Sequence, residues 1–129
     1  MMAAHDPTVF VLDDDLAIQD SLGQLLQVMD LPGEFFSTVS EFLDAYDPLR
    51  PGCLLLDLRL PGDGFSLLKE LSDRDSKLPI IVITGHGDDE TRDRATKLGA
   101  VAFFEKPFDV TRLCESIRQA IGSPSEDVG

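Results

Sequence analysis

The residues with chemistry to offer are Asp13-Asp14-Asp15, Asp57, Thr84 and Lys106, and each follows an apolar run. Thr8 to Leu12 leads into the three acids, Cys53 to Leu56 into Asp57, Leu78 to Ile83 into Thr84, and Ala100 to Phe104 comes shortly before Lys106-Pro107. Carboxylates a few ångströms apart repel one another, which raises their pKa values unless a cation intervenes. Hard oxygen ligands select Mg²⁺ or a similar divalent ion such as Mn²⁺, which keeps several waters and bridges a phosphoryl oxygen. With the negative charge neutralised, the Asp57 carboxylate can attack phosphorus and become an aspartyl phosphate. A Thr84 hydroxyl and a Lys106 ammonium would hold the remaining phosphoryl oxygens, since phosphoryl transfer needs positioning and charge stabilisation above all. Taken singly, each residue has an ordinary structural role. An Asp run between strand and helix supplies an N-cap with solvated neighbours, a lone Asp at a strand end caps a turn, and a Lys before Pro is a surface charge. The chemical reading therefore depends on a fold that brings them together.

The elements between these residues supply that fold. Thr8 to Leu12, Cys53 to Leu56 and Leu78 to Ile83 are continuous apolar runs of strand length, as strands covered on both faces require. Glu34-Phe35-Phe36 is a shorter strand, and Ala100 to Phe104 is the fifth. Helical stripes intervene. Ile18, Leu22, Leu25, Leu26 and Met29 follow the 3.6-residue period, as do Val110, Leu113, Ile117 and Ile121. Thr38 with Glu41 forms a capping box before Phe42, Leu43 and Tyr46. Phe65, Leu67, Leu68 and Leu71 mark a third helix, and Asp88-Asp89-Glu90 places negative charge at the start of a fourth that ends at Leu98-Gly99. Strand and helix alternate five times, which implies a parallel sheet with helices on both faces. In such a sheet every residue singled out above lies at the carboxyl edge, where open α/β sheets bind ligands.

Composition limits the alternatives. The 129 residues suit one domain, and the net charge of −13 argues against nucleic-acid binding, which needs clustered Lys and Arg. No apolar stretch approaches membrane-span length, and Met1 to Pro7 has neither a basic nor an apolar leader region. Cys53 and Cys114 fit no disulfide or metal pattern, so the expected setting is a reducing cytoplasm, with Cys53 a small core residue. The expected organisation is a tail over 1–7, a domain over 8–122, and a tail or start of a linker over 123–129.

Together these stretches resemble the response-regulator receiver domains of two-component signalling, over about Pro7 to Gly122. The resemblance is carried by Val11-Leu12-Asp13-Asp14-Asp15, Leu56-Asp57-Leu58-Arg59-Leu60-Pro61-Gly62, Ile83-Thr84-Gly85-His86-Gly87-Asp88 and Phe104-Glu105-Lys106-Pro107-Phe108. The last two most resemble the FixJ-type subfamily. The resemblance implies a flavodoxin-like (βα)5 three-layer sandwich with strand order 2-1-3-4-5. It implies that Asp57 is the phosphoacceptor, served by a sensor histidine kinase or phosphotransfer protein, with no nucleic acid or membrane as partner of this domain. Asp14 would be a direct Mg²⁺ (or Mn²⁺) ligand, Asp13 a water-mediated one, and the Arg59 backbone carbonyl a further ligand beside Asp57. Thr84 would be the switch hydroxyl, Lys106 its phosphoryl-binding companion, Lys106-Pro107 a cis peptide, and Phe103 the aromatic that changes rotamer as Thr84 moves. Arg59 and His86 occupy the positions that tune phosphoryl lifetime in the family. The output face would be that of the fourth helix, fifth strand and fifth helix, with homodimerisation on phosphorylation as a further partnership.

Two stretches depart from the family pattern. Only Asp63 separates Pro61-Gly62 from Gly64, where the subfamily usually has two residues. The helix after Asp88 reads Thr91-Arg92-Asp93-Arg94-Ala95-Thr96-Lys97, charged where related sequences are more apolar, and a solvated face is the simple expectation. Two other functional classes compete with the switch. One is a receiver-fold interaction module indifferent to phosphate, which the intact Asp13, Asp14, Asp57, Thr84 and Lys106 set argues against. The other is a phosphohydrolase with an aspartyl intermediate, which generally carries a second Asp two residues after the nucleophile, where this chain has Arg59. The expectation is therefore no enzymatic turnover beyond phosphorylation and dephosphorylation at Asp57 itself.

Overall fold

Alternate residues of the central strands feed two separate cores, one on each face of a single sheet. The computed structural model describes residues 7–60, 64–85 and 87–122. Five strands, β1 (Thr8–Leu12), β2 (Gly33–Phe36), β3 (Gly52–Leu56), β4 (Ile80–Thr84) and β5 (Ala102–Glu105), alternate with five helices. The helices are α1 (Leu16–Val28), α2 (Val39–Ala45), α3 (Gly64–Asp73), α4 (Asp89–Lys97) and α5 (Val110–Ala120). All neighbouring strands are parallel, in the order β2-β1-β3-β4-β5. This is the flavodoxin-like arrangement expected from the sequence. Parallel neighbours need a crossover, and the helices supply it.

Phe10, Leu12, Leu54, Leu56 and Val82 point to one side and pack with Phe42 of α2, Leu67, Leu68 and Leu71 of α3, and Ala95 of α4. Val9, Val11, Cys53, Leu55, Ile81 and Ile83 point to the other, against Leu22 and Leu26 of α1 and Leu113 and Ile117 of α5. Two-sided cover is why these strands read as unbroken apolar runs. Each fully buried Leu or Ile contributes about 1.5–3 kcal/mol. A seven-residue helix such as α2 could not persist without that packing. Cys53 is a core residue, and burial pushes its thiol up to about 12.

Local signals fix the helix starts. Asp15 caps α1 by accepting from the N–H of Ala17 at 2.9 Å, Thr38 and Glu41 form the capping box of α2, and Asp88 and Asp109 cap α4 and α5. Gly52 has a φ of +144°, and a Cβ there would lie 1.8 Å from the Thr8 carbonyl oxygen, so the entry to β3 demands glycine.

Some details differ from expectation. β4 begins at Ile80 rather than Leu78, because Pro79 has no N–H for the ladder; its carbonyl still accepts from Leu54 N–H at 2.9 Å. β5 runs from Ala102 to Glu105 rather than Ala100 to Phe104. The N–H groups of Gly99 and Ala100 are engaged in closing α4, bonding to Thr96 and Ala95 carbonyls. Val110, placed on the apolar stripe by its spacing, is 51% exposed at the first position of α5.

Candidate functional site

The register of the sheet sets the site. Leu12 of β1 is paired with Leu56 of β3, so the next residues, Asp13 and Asp57, emerge side by side. Asp57 N–H donates to the Leu12 carbonyl at 3.0 Å, and Asp13 N–H donates to the Phe36 carbonyl of β2 at 3.1 Å. On the other flank Thr84 is paired with Glu105. Lys106 N–H then donates to the Thr84 carbonyl at 2.8 Å, which starts the Lys106 side chain from the same edge. Residues separated by scores of positions in sequence thus meet at one end of the sheet.

Asp13 and Asp57 are both buried, at 3% and 6% exposure. The Lys106 ammonium bridges them, 2.9 Å from Asp13 Oδ2 and 3.2 Å from Asp57 Oδ2. The other carboxylate oxygens are also occupied. Asp13 Oδ1 accepts from Asp15 N–H, and Asp57 Oδ1 accepts from Arg59 N–H, each at 2.9 Å. Asp14 is exposed, yet a carboxylate oxygen from each of Asp13, Asp14 and Asp57 lies within 4.8 Å of the others. Burial pushes the Asp13 carboxyl above its ordinary value, and the charge of Asp57 adds to that; the hydrogen bonds from Lys106 and Asp15 oppose it without cancelling it. Burial also works against the Lys106 ammonium. The hydrogen bonds and charges of Asp13 and Asp57 outweigh it, leaving the lysine above its usual value. One ammonium, bridging two of three neighbouring carboxylates, leaves the pocket short of positive charge. A divalent cation with hard oxygen preference fits that donor set.

The remaining predicted residues lie around this centre. Thr84 is fully buried as the last residue of β4. Phe103 is partly buried on β5, opposite Val82, and alternation puts Thr84 and Phe103 on the same face of the sheet. The Arg92 guanidinium of α4 lies 5.5 Å from the centre of the Phe103 ring. Arg59 has an exposed side chain, and its N–H is engaged with Asp57. The Lys106–Pro107 peptide is cis. His86 and the shortened Pro61-Gly62-Asp63 stretch lie outside the described residues.

Two further positions belong to the site: Gly64, read from the sequence only as the end of the shortened loop, and Gln19, which was not singled out. Gly64, at the start of α3, runs so close to the Asp57 loop that a Cβ would lie 2.7 Å from Leu58 Cα and 2.9 Å from the Asp57 carbonyl oxygen. Gln19, in the first turns of α1, donates from Nε2 to the Asp13 carbonyl at 2.7 Å, and to the Phe36 carbonyl and Ser37 Oγ at 3.2 Å each. The available cue was a polar residue between the apolar positions Ile18 and Leu22.

A parallel five-stranded sheet with acids, a hydroxyl and an ammonium at its carboxyl edge defines a class. The chain belongs to the response regulator receiver domain family, whose model matches residues 9–118. It is 43% identical over 119 residues to the transcriptional regulatory protein FixJ of Azorhizobium caulinodans, covering 92% of this chain and 56% of that protein. The chain thus spans about half the length of the curated relatives it matches. Among solved structures, full-length FixJ from B. japonicum superposes with a TM-score of 0.83 at 42% identity, covering 94% of this chain and 61% of that one. The beryllofluoride-activated NtrC4 receiver domain dimer superposes at 0.82 with 32% identity, covering 89% and 96%. The protein is a receiver domain of the two-component response-regulator type, and no helix among the described residues is long and apolar enough to cross a membrane.

Proposed function

We propose that this receiver, over residues 8–122, is a cytoplasmic switch thrown by phosphorylation of Asp57. The observation that carries the reading is the buried Asp13–Lys106–Asp57 bridge with Asp14 beside it. A carboxylate oxygen of Asp57 attacks the phosphorus of a phosphohistidine on a sensor kinase or phosphotransfer protein. An O–P bond forms, the P–N bond breaks, and the imidazole leaves with the electron pair. Asp13, Asp14, Asp57 and the Arg59 backbone carbonyl would hold Mg²⁺ or Mn²⁺, which supplies charge neutralisation for the incoming phosphoryl group.

The chain's own residues do the rest. Lys106, already within hydrogen-bonding distance of Asp57, pairs with a phosphoryl oxygen once one is present. Thr84 supplies a hydroxyl to another. Its movement lets Phe103 follow, on the face where α4, β5 and α5 meet, and so shifts a two-state equilibrium there. Arg59 and His86 occupy the positions that tune phosphoryl lifetime in the family and would set it here. That output face, in the phosphorylated state, would meet a second copy or another partner. Arg59, two residues beyond Asp57, offers no carboxylate to act as a general acid, which supports a switch over a turnover enzyme.

The test is labelling with a small phosphodonor such as acetyl phosphate. Wild type is expected to take up one phosphate per chain when Mg²⁺ is present and none in excess chelator. Asp57→Asn is expected to take up none. Labelling of Asp57→Asn equal to wild type, or no labelling of wild type, overturns the proposal.

A further inference from the structure

We propose that Gln19 is a positioning residue for the metal-binding acids, holding the backbone from which the exposed Asp14 carboxylate projects. This rests on the reading of Asp13, Asp14 and Asp57 as a Mg²⁺ pocket and goes beyond it, because the Gln19 amide is bonded to the Asp13 and Phe36 carbonyls and Ser37 and acts through the backbone.

The reasoning starts with what Asp14 lacks. Its side chain is exposed at the sheet edge, so packing does not fix its direction, while a metal ligand must be held to a fraction of an ångström. Direction must then come from the backbone on either side. The peptide following Asp14 is held by Asp15 N–H, which donates to Asp13 Oδ1 at 2.9 Å. The peptide preceding it carries the Asp13 carbonyl, which lies beyond the last residue of β1. The Gln19 carboxamide takes that carbonyl at 2.7 Å. Its Nε2 also lies 3.2 Å from both the Phe36 carbonyl and Ser37 Oγ.

With two N–H bonds available, one serves the Asp13 carbonyl and the second is shared between the two acceptors at the end of β2. Phe36 O is the same atom that receives Asp13 N–H, so both backbone groups of Asp13 are tied to the end of β2, the N–H directly and the carbonyl through Gln19. The peptide planes before and after Asp14 are thereby both anchored, and its φ and ψ are confined. Gln19 reaches the site from α1, whose own start is fixed by Asp15, so the brace closes a short loop of structure around Asp14.

The test separates bracing from mere stability. Mg²⁺ affinity is measured by calorimetric titration of the full chain, alongside acetyl phosphate labelling across a Mg²⁺ series. Gln19→Met, which keeps length but has no donor, is expected to weaken Mg²⁺ binding about tenfold, as loss of partners behind a ligand commonly does. Its labelling should reach the wild-type plateau at correspondingly higher Mg²⁺. Gln19→Glu, of the same shape but with acceptors facing carbonyl oxygens, should weaken binding at least as much and covers the case in which Gln19→Met does not fold. Gln19→Arg, which restores donors, should recover most of the affinity.

A role confined to folding would lower the urea midpoint of Gln19→Met and leave its Mg²⁺ dissociation constant at the wild-type value. That result overturns the inference while the Mg²⁺ pocket stands. A wild type that binds no Mg²⁺ and takes no phosphate overturns the pocket itself, and the brace with it.

Discussion

Replacing Lys106 by Met tests how the buried acids are kept together. Met retains an unbranched stem of similar length, so the change removes a charge and opens little space. The ammonium lies 2.9 Å from Asp13 and 3.2 Å from Asp57, and its side chain is only 19% exposed. At an effective dielectric constant near 20, each such pair carries about 5–6 kcal/mol of gross attraction. Most of this is offset by the desolvation of the three groups. Losing one partner of a buried ion pair costs about 3–5 kcal/mol, and the lower end applies at a sheet edge that water can reach. A loss of about 3 kcal/mol leaves a domain of ordinary stability folded. With a urea slope of about 1–3 kcal/mol/M, it lowers the midpoint by about 1–3 M. Urea melts in chelator measure the loss; melts in saturating Mg²⁺ measure its repair. The ion takes over the neutralising role of the ammonium, so the gap between Lys106→Met and wild type should narrow there. A variant within about 0.5 kcal/mol of wild type in chelator would refute the reasoning, since surface changes alone fall in that range. So would a gap that Mg²⁺ leaves unchanged.

Other outcomes follow from the same geometry. Gly52→Ala would place a Cβ 1.8 Å from the Thr8 carbonyl oxygen at a φ of +144°, and should leave little folded protein by circular dichroism; a native spectrum and melting curve would contradict this. The Arg50 hydrogen bond holds the Glu34 carboxyl below its usual 4.5 against an opposing effect of burial. A lowered carboxyl pKa contributes stability above the unfolded value and loses it as pH falls through the folded one. Glu34→Gln should therefore cost less than about 1 kcal/mol at neutral pH, because the pair is partly exposed. That cost should shrink as pH falls below 4.5 and vanish once pH has passed the lowered folded value; a penalty that persists in strong acid would count against it. In hydrogen exchange, α4 should open before α3. Its one fully buried side chain is Ala95, and Arg92 and Arg94 lie over Phe103 and Phe65, whereas α3 buries Leu67, Leu68 and Leu71. Exposed cation–π contacts are worth about 0.5–1 kcal/mol each, less than a buried leucine. Equal protection of the two helices would be the contrary result.

The fold was legible because this sheet is covered on both sides. Runs such as Cys53 to Leu56 carry no period-two alternation to misread, and the helical stripes between them leave few ways to connect parallel strands. The boundaries that moved did so for reasons of hydrogen-bond supply that hydrophobicity does not encode. Pro79 lacks a donor, and Gly99 and Ala100 are committed to closing α4. The charged α4 was visible in sequence as Thr91 to Lys97. That its arginines lie against rings from β5 and α3 was not, because those partners come from other elements.

The same distinction separates the parts of the site. Asp13, Asp57, Thr84 and Lys106 could be found because each ends or follows a strand, and a strand end has one address in a parallel sheet. Gln19 has no such address. A glutamine on a helix flank is ordinary, and its importance arises only from where the Asp13 carbonyl points after β1 ends. Backbone groups just past a strand need partners. Which side chain provides one is decided by the packing angle of the neighbouring helix, a long-range quantity set jointly by Leu22, Leu26 and the strand residues beneath them. Residues that act on substrate are thus marked by the strand ends, while residues that aim them are marked only by the assembled fold.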